Sequence, residues 1–174
     1  MYAGHSGKER YIPVHEIVDQ LGPTVCGRLP AAHVLTGCDT MCSMNRIGKK
    51  TAYSKLVKNI DSLADLTTVH ENDGNVSQVF ALLLYGKKGK DVQTLDEMRY
   101  LMATTTDKAA SMLPPTEDAF KQHVLRAKYQ TRILCNSHIV NQEETQPVGH
   151  GWSACDDGSI TPTMFSKPPA PVKV

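Results

Sequence analysis

The stretch that decides the fold is HVLTGCDTMCSMNRIGKKTAYSKL, residues 33–56, in which a turn-forming segment separates two helix-forming segments. Gly37 suits the left-handed backbone conformation that ends helices, so the residues before it are predicted to form a helix that stops there. Asp39 then lies just beyond a helix end. After Gly48, apolar residues recur at three- and four-residue steps, which predicts a new helix over residues 49–60.

The second half of this stretch begins a concentrated run of positive charge. Between Asn45 and Lys58 there is no acidic residue and there are five basic ones: Arg46, Lys49, Lys50, Lys55 and Lys58. A glycine turn at a helix N-terminus presents backbone N–H groups that lack helical partners, and the helix dipole adds partial positive charge there. Such a corner favours a phosphate group. The alternative interpretation is an ordinary helix start whose lysines point into water.

Upstream of this stretch, the sequence indicates two helical segments. The segment IPVHEIVDQLG, residues 12–22, places apolar residues at helical spacing and is predicted to stop at Gly22 and Pro23. The segment TVCGRLPAAHVLTG, residues 24–37, is predicted to be a second helical stretch, broken or restarted at Pro30.

Downstream, three further segments carry helix patterns. NVSQVFALLLYG, residues 75–86, is apolar enough to be the most buried helix, with Asn75 as its N-cap and Gly86 at its end. Before it, Asp61 is a candidate N-cap for one further helical turn.

The two later helices carry clearer start signals. TLDEMRYLMATT, residues 94–105, begins with a capping box in which Thr94 and Glu97 bond each other's backbone. LPPTEDAFKQHVLRAKYQTRILCN, residues 113–136, has two prolines and the cap Thr116 in front of a long apolar stripe, so it is predicted to be one long helix of about six turns.

The C-terminal part of the sequence is rich in turn-forming residues and proline rather than in helical patterns. DDGS separates WSAC from ITPTMF and is a hairpin signal, and KPPAPVKV is a proline-rich end. The sequence therefore predicts a mainly α fold: a bundle of short helices with a helix-hairpin-helix-like segment, one long C-terminal helix and a small β-hairpin. The predicted division is a helical part, residues 1–141, and a hairpin with a proline-rich tail, residues 142–174.

Composition bounds the function. The 174 residues suit one domain, and a net charge of +1 with 21% charged residues means that any electrostatic binding must be local. The longest apolar run, residues 79–85, is far shorter than the 20 or so residues that cross a bilayer. Five cysteines without secreted-scaffold spacing favour reduced thiols. We therefore expect a soluble intracellular protein, nuclear or cytoplasmic, with no membrane partner.

The motif in residues 35–56 resembles the G-x-D and helix-hairpin-helix segment of the PIN-like and flap-endonuclease superfamily of nucleases. The matching positions are Gly37, Asp39, Gly48, Lys50 and Ala52. A wider resemblance, over about residues 10–171, is to a transposon-associated animal family with a PIN-like core. It rests on RYIPVHEIVDQLG, LPAAHVLTGCDT, GKKTA, LPPTEDAFKQHVLRAKYQ and GHGWSACDDGSITPTMFSKPPAP in this order.

The resemblance implies specific roles. Asp39 is the expected ligand of a divalent metal such as Mg²⁺, and the hairpin is expected to grip the phosphodiester backbone of duplex DNA through Gly48, Lys49 and Lys50. The basic run of residues 46–58 adds Arg46 and Lys55 to the expected phosphate contacts. Arg46 departs from the family pattern, which has a glycine there, the residue that takes positive φ or admits a close approach of DNA.

One carboxylate cannot hold the two metal ions of phosphodiester cleavage. The other acidic positions of the family belong to a strand-rich region before Tyr11, so the chain resembles the C-terminal portion, a fragment, of an α/β PIN-like protein. We expect nucleic-acid binding without cleavage by this chain alone. The alternatives are a metal-dependent nuclease in a longer chain and a non-catalytic protein-interaction module.

Overall fold

The structure is a computed structural model that describes residues 1–66, 74–86, 92–107, 109–141 and 146–166. The described residues are mainly helical, with two antiparallel two-stranded hairpins. The order of the strands and α-helices is β1 (Tyr2–Ala3), β2 (Arg10–Tyr11), α1 (Val14–Leu35), α2 (Lys49–Lys58), α3 (Gly74–Leu84), α4 (Leu95–Thr105), α5 (Glu117–Cys135), β3 (Trp152–Ala154) and β4 (Ile160–Pro162). This confirms the mainly α class.

Helix α1 is one element with an interruption. Gly22 has φ 75° and ψ 165°, values outside the helical region, so the predicted stop at this glycine is confirmed as a kink. The predicted break at Pro30 is wrong, because the only non-helical backbone inside α1 is at Gly22. The part after the kink carries the buried side chains Ala31, Ala32, Val34 and Leu35.

The core forms where helices from different parts of the chain pack against one another. Helix α1 packs against α2 and α5, and α3 packs against α2, α4 and α5. The largest apolar side chains that are fully buried come from several of these elements: Phe80, Leu56, Leu63, Leu95 and Val34. The Arg28 guanidinium adds a tie between α1 and the segment after α2, since it donates to the carbonyls of Ile60 (2.7 Å) and Ala64 (3.2 Å).

The N-cap residues predicted for α4 and α5 form their capping hydrogen bonds in the structure. Thr94 and Glu97 form the predicted capping box, and the Thr116 side chain accepts a hydrogen bond from the Ala119 N–H. In α3 the bounds differ from the prediction, because the helix already includes Gly74 and Asn75 is therefore inside it. The helical turn Asp61–Leu63 is a 3-10 helix whose N-cap is Ile60, so the cap predicted at Asp61 is wrong.

The C-terminal hairpin pairs Trp152 with Pro162 and Ala154 with Ile160, as predicted from DDGS. It is docked on α5 by the Arg126 guanidinium, which donates to the carbonyls of Gly151 (3.0 Å) and Thr163 (2.6 Å). The predicted proline-rich tail, residues 167–174, lies outside the described residues.

The N-terminal hairpin of β1 and β2 was not predicted. It pairs Tyr2 with Tyr11 and Ala3 with Arg10, and each strand is only two residues long.

In the described part of the chain, none of the helices combines the length and the apolar character needed to cross a membrane. The five cysteines form no disulfide bond.

Candidate nucleic-acid interface

The connection between α1 and α2, residues 36–48, begins with a tight turn. The backbone groups of Cys38 and Met41 bond each other in both directions, at 3.2 and 3.0 Å, and Asp39 and Thr40 form the exposed tip. Gly37 lies beside the returning chain: a Cβ on it would come within 2.4 Å of the Ser43 Cα. With φ 98° it also has a backbone conformation that favours glycine.

A second turn carries Arg46. The Ile47 N–H bonds the Met44 carbonyl (3.1 Å), and within this turn only Arg46 has positive φ, at 59°. Positive φ at the third residue is the pattern of a type II turn, which prefers glycine there. Arg46 therefore occupies a turn position at which glycine would be favoured. The Asn45 side chain fastens the turn to the Ser111 carbonyl (2.9 Å).

Lys49 turns back onto the end of α1. Its ammonium group donates to the Thr36 hydroxyl (3.0 Å) and to the backbone carbonyls of His33 and Gly37. These bonds use the three donors of a lysine. A cation at a helix C-terminus is favourable because the dipole is negative there. Partial burial lowers the pKa of the Lys49 ammonium. The structure therefore gives this residue a bracing contact between two helices.

The N-terminus of α2 is open to an anion. Gly48 is its N-cap in extended conformation, with no side-chain cap and no acidic residue in the first turn. The first helical bond is made by the Ala52 N–H to the Gly48 carbonyl (3.1 Å), so the N–H groups of Lys49, Lys50 and Thr51 precede it and have no acceptor among the described residues. A Cβ on Gly48 would meet no atom within 4 Å.

The structure brings most of the expected phosphate contacts to one end of α2. Arg46, Gly48 and Lys50 are exposed and lie within five consecutive positions, while Lys55 is half-buried further along the helix. Arg46 and Lys50 make no ion pair with a carboxylate in the described chain. We call Arg46, Gly48, Lys50 and Lys55, together with the open N–H groups, the anion surface.

Asp39 lies near a histidine rather than among other carboxylates. Desolvation and then the charge of Lys49 lower the pKa of His33, whereas the charge of Asp39 acts in the opposite direction. No cluster of three or more histidine, cysteine or acidic side chains that could hold a metal ion occurs in the described residues. Because Mg²⁺ requires several oxygen ligands, the residues around Asp39 do not fit a magnesium centre on their own.

The bracing contact of Lys49 was missed by sequence reasoning. Its acceptors precede it by 12 to 16 positions, so only the folded loop brings them together. A lysine in the first turn, where its charge opposes the dipole of its own helix, was the one available signal.

Comparisons of the chain with protein-family models, with curated proteins and with solved structures found no match.

Replacing Arg46 by glycine is expected to raise the free energy of unfolding by about 0.5–1 kcal/mol, because glycine adopts positive φ without steric cost. Arg46→Ala is the matched control: it removes the same side chain but keeps the strained conformation, so its stability should stay near that of the wild type. Chemical denaturation measures both. Equal stability of the two variants would show that the turn is not strained.

Proposed function

We propose that this protein binds the backbone of nucleic acid, duplex DNA in particular, without reading its sequence, and that it does so through the anion surface. The proposal includes a relationship to the helical portion of PIN-like nucleases, in a chain that lacks a complete catalytic centre. The resemblance in residues 37–52 supports this relationship, as does the positive φ of Arg46 at the position where that family has glycine.

The observation that carries the proposal is the open, acid-free N-terminus of α2 with exposed cations on both sides of it. Arg46 precedes this N-terminus and Lys50 lies in its first turn. Backbone N–H groups at a helix start bind phosphate oxygens without contacting base edges, so contacts of this kind position a protein on DNA and carry no sequence information.

Arg46 and Lys50 lie nearest to the open N–H groups, and the hydrogen bonds of Lys49 to the end of α1 hold the bend that presents them. Lys55 lies about 7.5 Å further along the axis of α2 and about 140° around it from Lys50, because each helical residue rises about 1.5 Å and turns about 100°. Lys55 therefore contacts a different phosphate from the one at the helix start.

Binding of the protein to a fluorescein-labelled duplex is expected to weaken steeply between 50 and 200 mM salt. With three cationic contacts, log K should fall against log salt with a slope of about −2.7, since each neutralised phosphate contributes about −0.9. Fluorescence anisotropy at several salt concentrations gives this slope, and duplexes of unrelated sequence should give the same value. Flat binding across the salt series, or preference for one duplex sequence, would contradict the proposal.

A further inference from the structure

A cleft of about 250 Å³ lies between α5, the loop after the Cys38–Met41 turn and the strand end that leads to Met164. Its walls are largely apolar and include Met44, Phe120 and Met164, and no acidic residue lines it. Arg126 also lines it. The cleft is distinct from the anion surface, which contributes none of its side chains to this lining.

Arg126 is a buried cation whose charge has no carboxylate partner in the described chain. Arg126 is only 5% exposed. Both of its hydrogen bonds are donated by Nη1, to the neutral carbonyls of Gly151 and Thr163. Burying an unpaired charge is costly, so an arginine in this position favours the arrival of an anion.

Two nitrogens of this guanidinium remain for a ligand. Nε and Nη2 have no acceptor among the described residues. Every fully buried side-chain nitrogen of the described residues has a hydrogen-bond partner, so Nε and Nη2 are not fully buried and can be reached by a small molecule. The N–H groups on Nε and Nη2 form a fork that matches the two oxygens of a carboxylate.

We propose that this cleft binds a small organic carboxylate, with its two oxygens on the Nε and Nη2 edge of Arg126 and its apolar body against Phe120, Met44 and Met164. The volume is below that of pockets for drug-sized ligands, so the ligand has on the order of ten non-hydrogen atoms.

The charge of the cleft favours a carboxylate over a phosphate monoester. His123 also lines the cleft, and its Nε2–H donates to the Leu35 carbonyl (2.9 Å). Burial lowers the pKa of His123, so its ring is neutral near pH 7 and Arg126 supplies the one positive charge of the lining. A single guanidinium neutralises a monoanion but leaves a phosphate dianion undercompensated.

The test uses benzoate as the probe and the methyl resonances of methionine as the readout. Titration of the full chain should shift the Met44 and Met164 signals, with Kd on the order of 1 mM, and leave the core residues Met98 and Met102 unchanged. Benzamide, which has the same shape and no charge, and benzylamine, which is cationic, should each bind roughly tenfold more weakly or not at all.

Two variants locate the site. Ala119→Leu fills part of the cleft, leaves Arg126 in the sequence, and is expected to weaken benzoate binding roughly tenfold. Arg126→Lys keeps the positive charge but loses the fork, and should reduce the preference for benzoate over benzamide. The proposal is overturned if benzoate and benzamide bind alike, if Ala119→Leu binds benzoate as the wild type does, or if phenyl phosphate binds more tightly than benzoate.

Discussion

Replacing Gly37 by alanine is expected to lower the free energy of unfolding by about 3 kcal/mol, the largest effect of any single methyl group in the connection between α1 and α2. Two causes add. Gly37 has φ 98°, where a side chain is strained, and the new Cβ would lie 2.4 Å from the Ser43 Cα and 2.8 Å from its backbone nitrogen. Backbone atoms cannot move aside as a flexible side chain can, so the loop must shift. Urea denaturation followed by circular dichroism measures the loss.

Gly158→Ala is the matched control for Gly37→Ala. Gly158 also has positive φ, at 81°, but a Cβ there would meet no atom within 4 Å. Its substitution should therefore cost only the conformational part, about 1 kcal/mol. If the two variants lose the same stability, the close approach of Gly37 to Ser43 is not a feature of the folded protein.

Replacing Lys49 by methionine is expected to lower the free energy of unfolding by about 2 kcal/mol. Methionine keeps an unbranched apolar side chain of similar length but cannot donate to the carbonyls of His33 and Gly37 or to the Thr36 hydroxyl. Each charged hydrogen bond contributes up to about 3 kcal/mol when shielded from water, and the total is smaller here because Lys49 is an exposed residue. Thermal and chemical denaturation both report the change.

Lys50→Met serves as the control, since it makes the same substitution one position later. Lys50 is exposed and makes no side-chain hydrogen bond to the described residues, so its loss should change the unfolding free energy by about 0.5 kcal/mol or less. The order of the effects should reverse for DNA binding, where Lys50→Met costs more affinity than Lys49→Met. A stability loss at Lys50 as large as that at Lys49 would remove the distinction between bracing and binding lysines.

The helix starts of α4 and α5 could be predicted because their signals are local. Thr94 bonds a residue three positions later, and so does Thr116, so both caps are visible in a few letters of sequence. The kink at Gly22 was likewise predictable from a glycine followed by proline. Pro30 misled the prediction because surrounding packing overrode its local preference: α1 continues through it into the buried segment that ends at Leu35.

The candidate sites were only partly visible in the sequence. The cations of α2 could be read directly, but the separation of Lys49 from Lys50 depends on a loop that returns to the end of α1. Arg126 could not be identified, because arginine on an amphipathic helix is expected on the surface, and its burial depends on a hairpin 25 to 37 positions later. The hairpin of β1 and β2 was missed because two-residue strands show no alternation pattern.

The most direct test of the central claim, that the bend before α2 presents an anion surface to nucleic acid, compares two double variants by fluorescence anisotropy with the same duplex. Arg46→Gln with Lys50→Gln removes two contacts of the anion surface. Lys121→Gln with Arg132→Gln removes one lysine and one arginine from exposed positions on α5, so the net charge changes equally.

The first double variant should bind about tenfold more weakly at 50 mM salt and reduce the magnitude of the salt slope by about two. The α5 variant should stay within about twofold of the wild type, as expected for charges that contact no phosphate. Equal losses in the two variants would mean that DNA responds only to total charge, and an unchanged affinity in the first would mean that the bend before α2 does not contact the backbone.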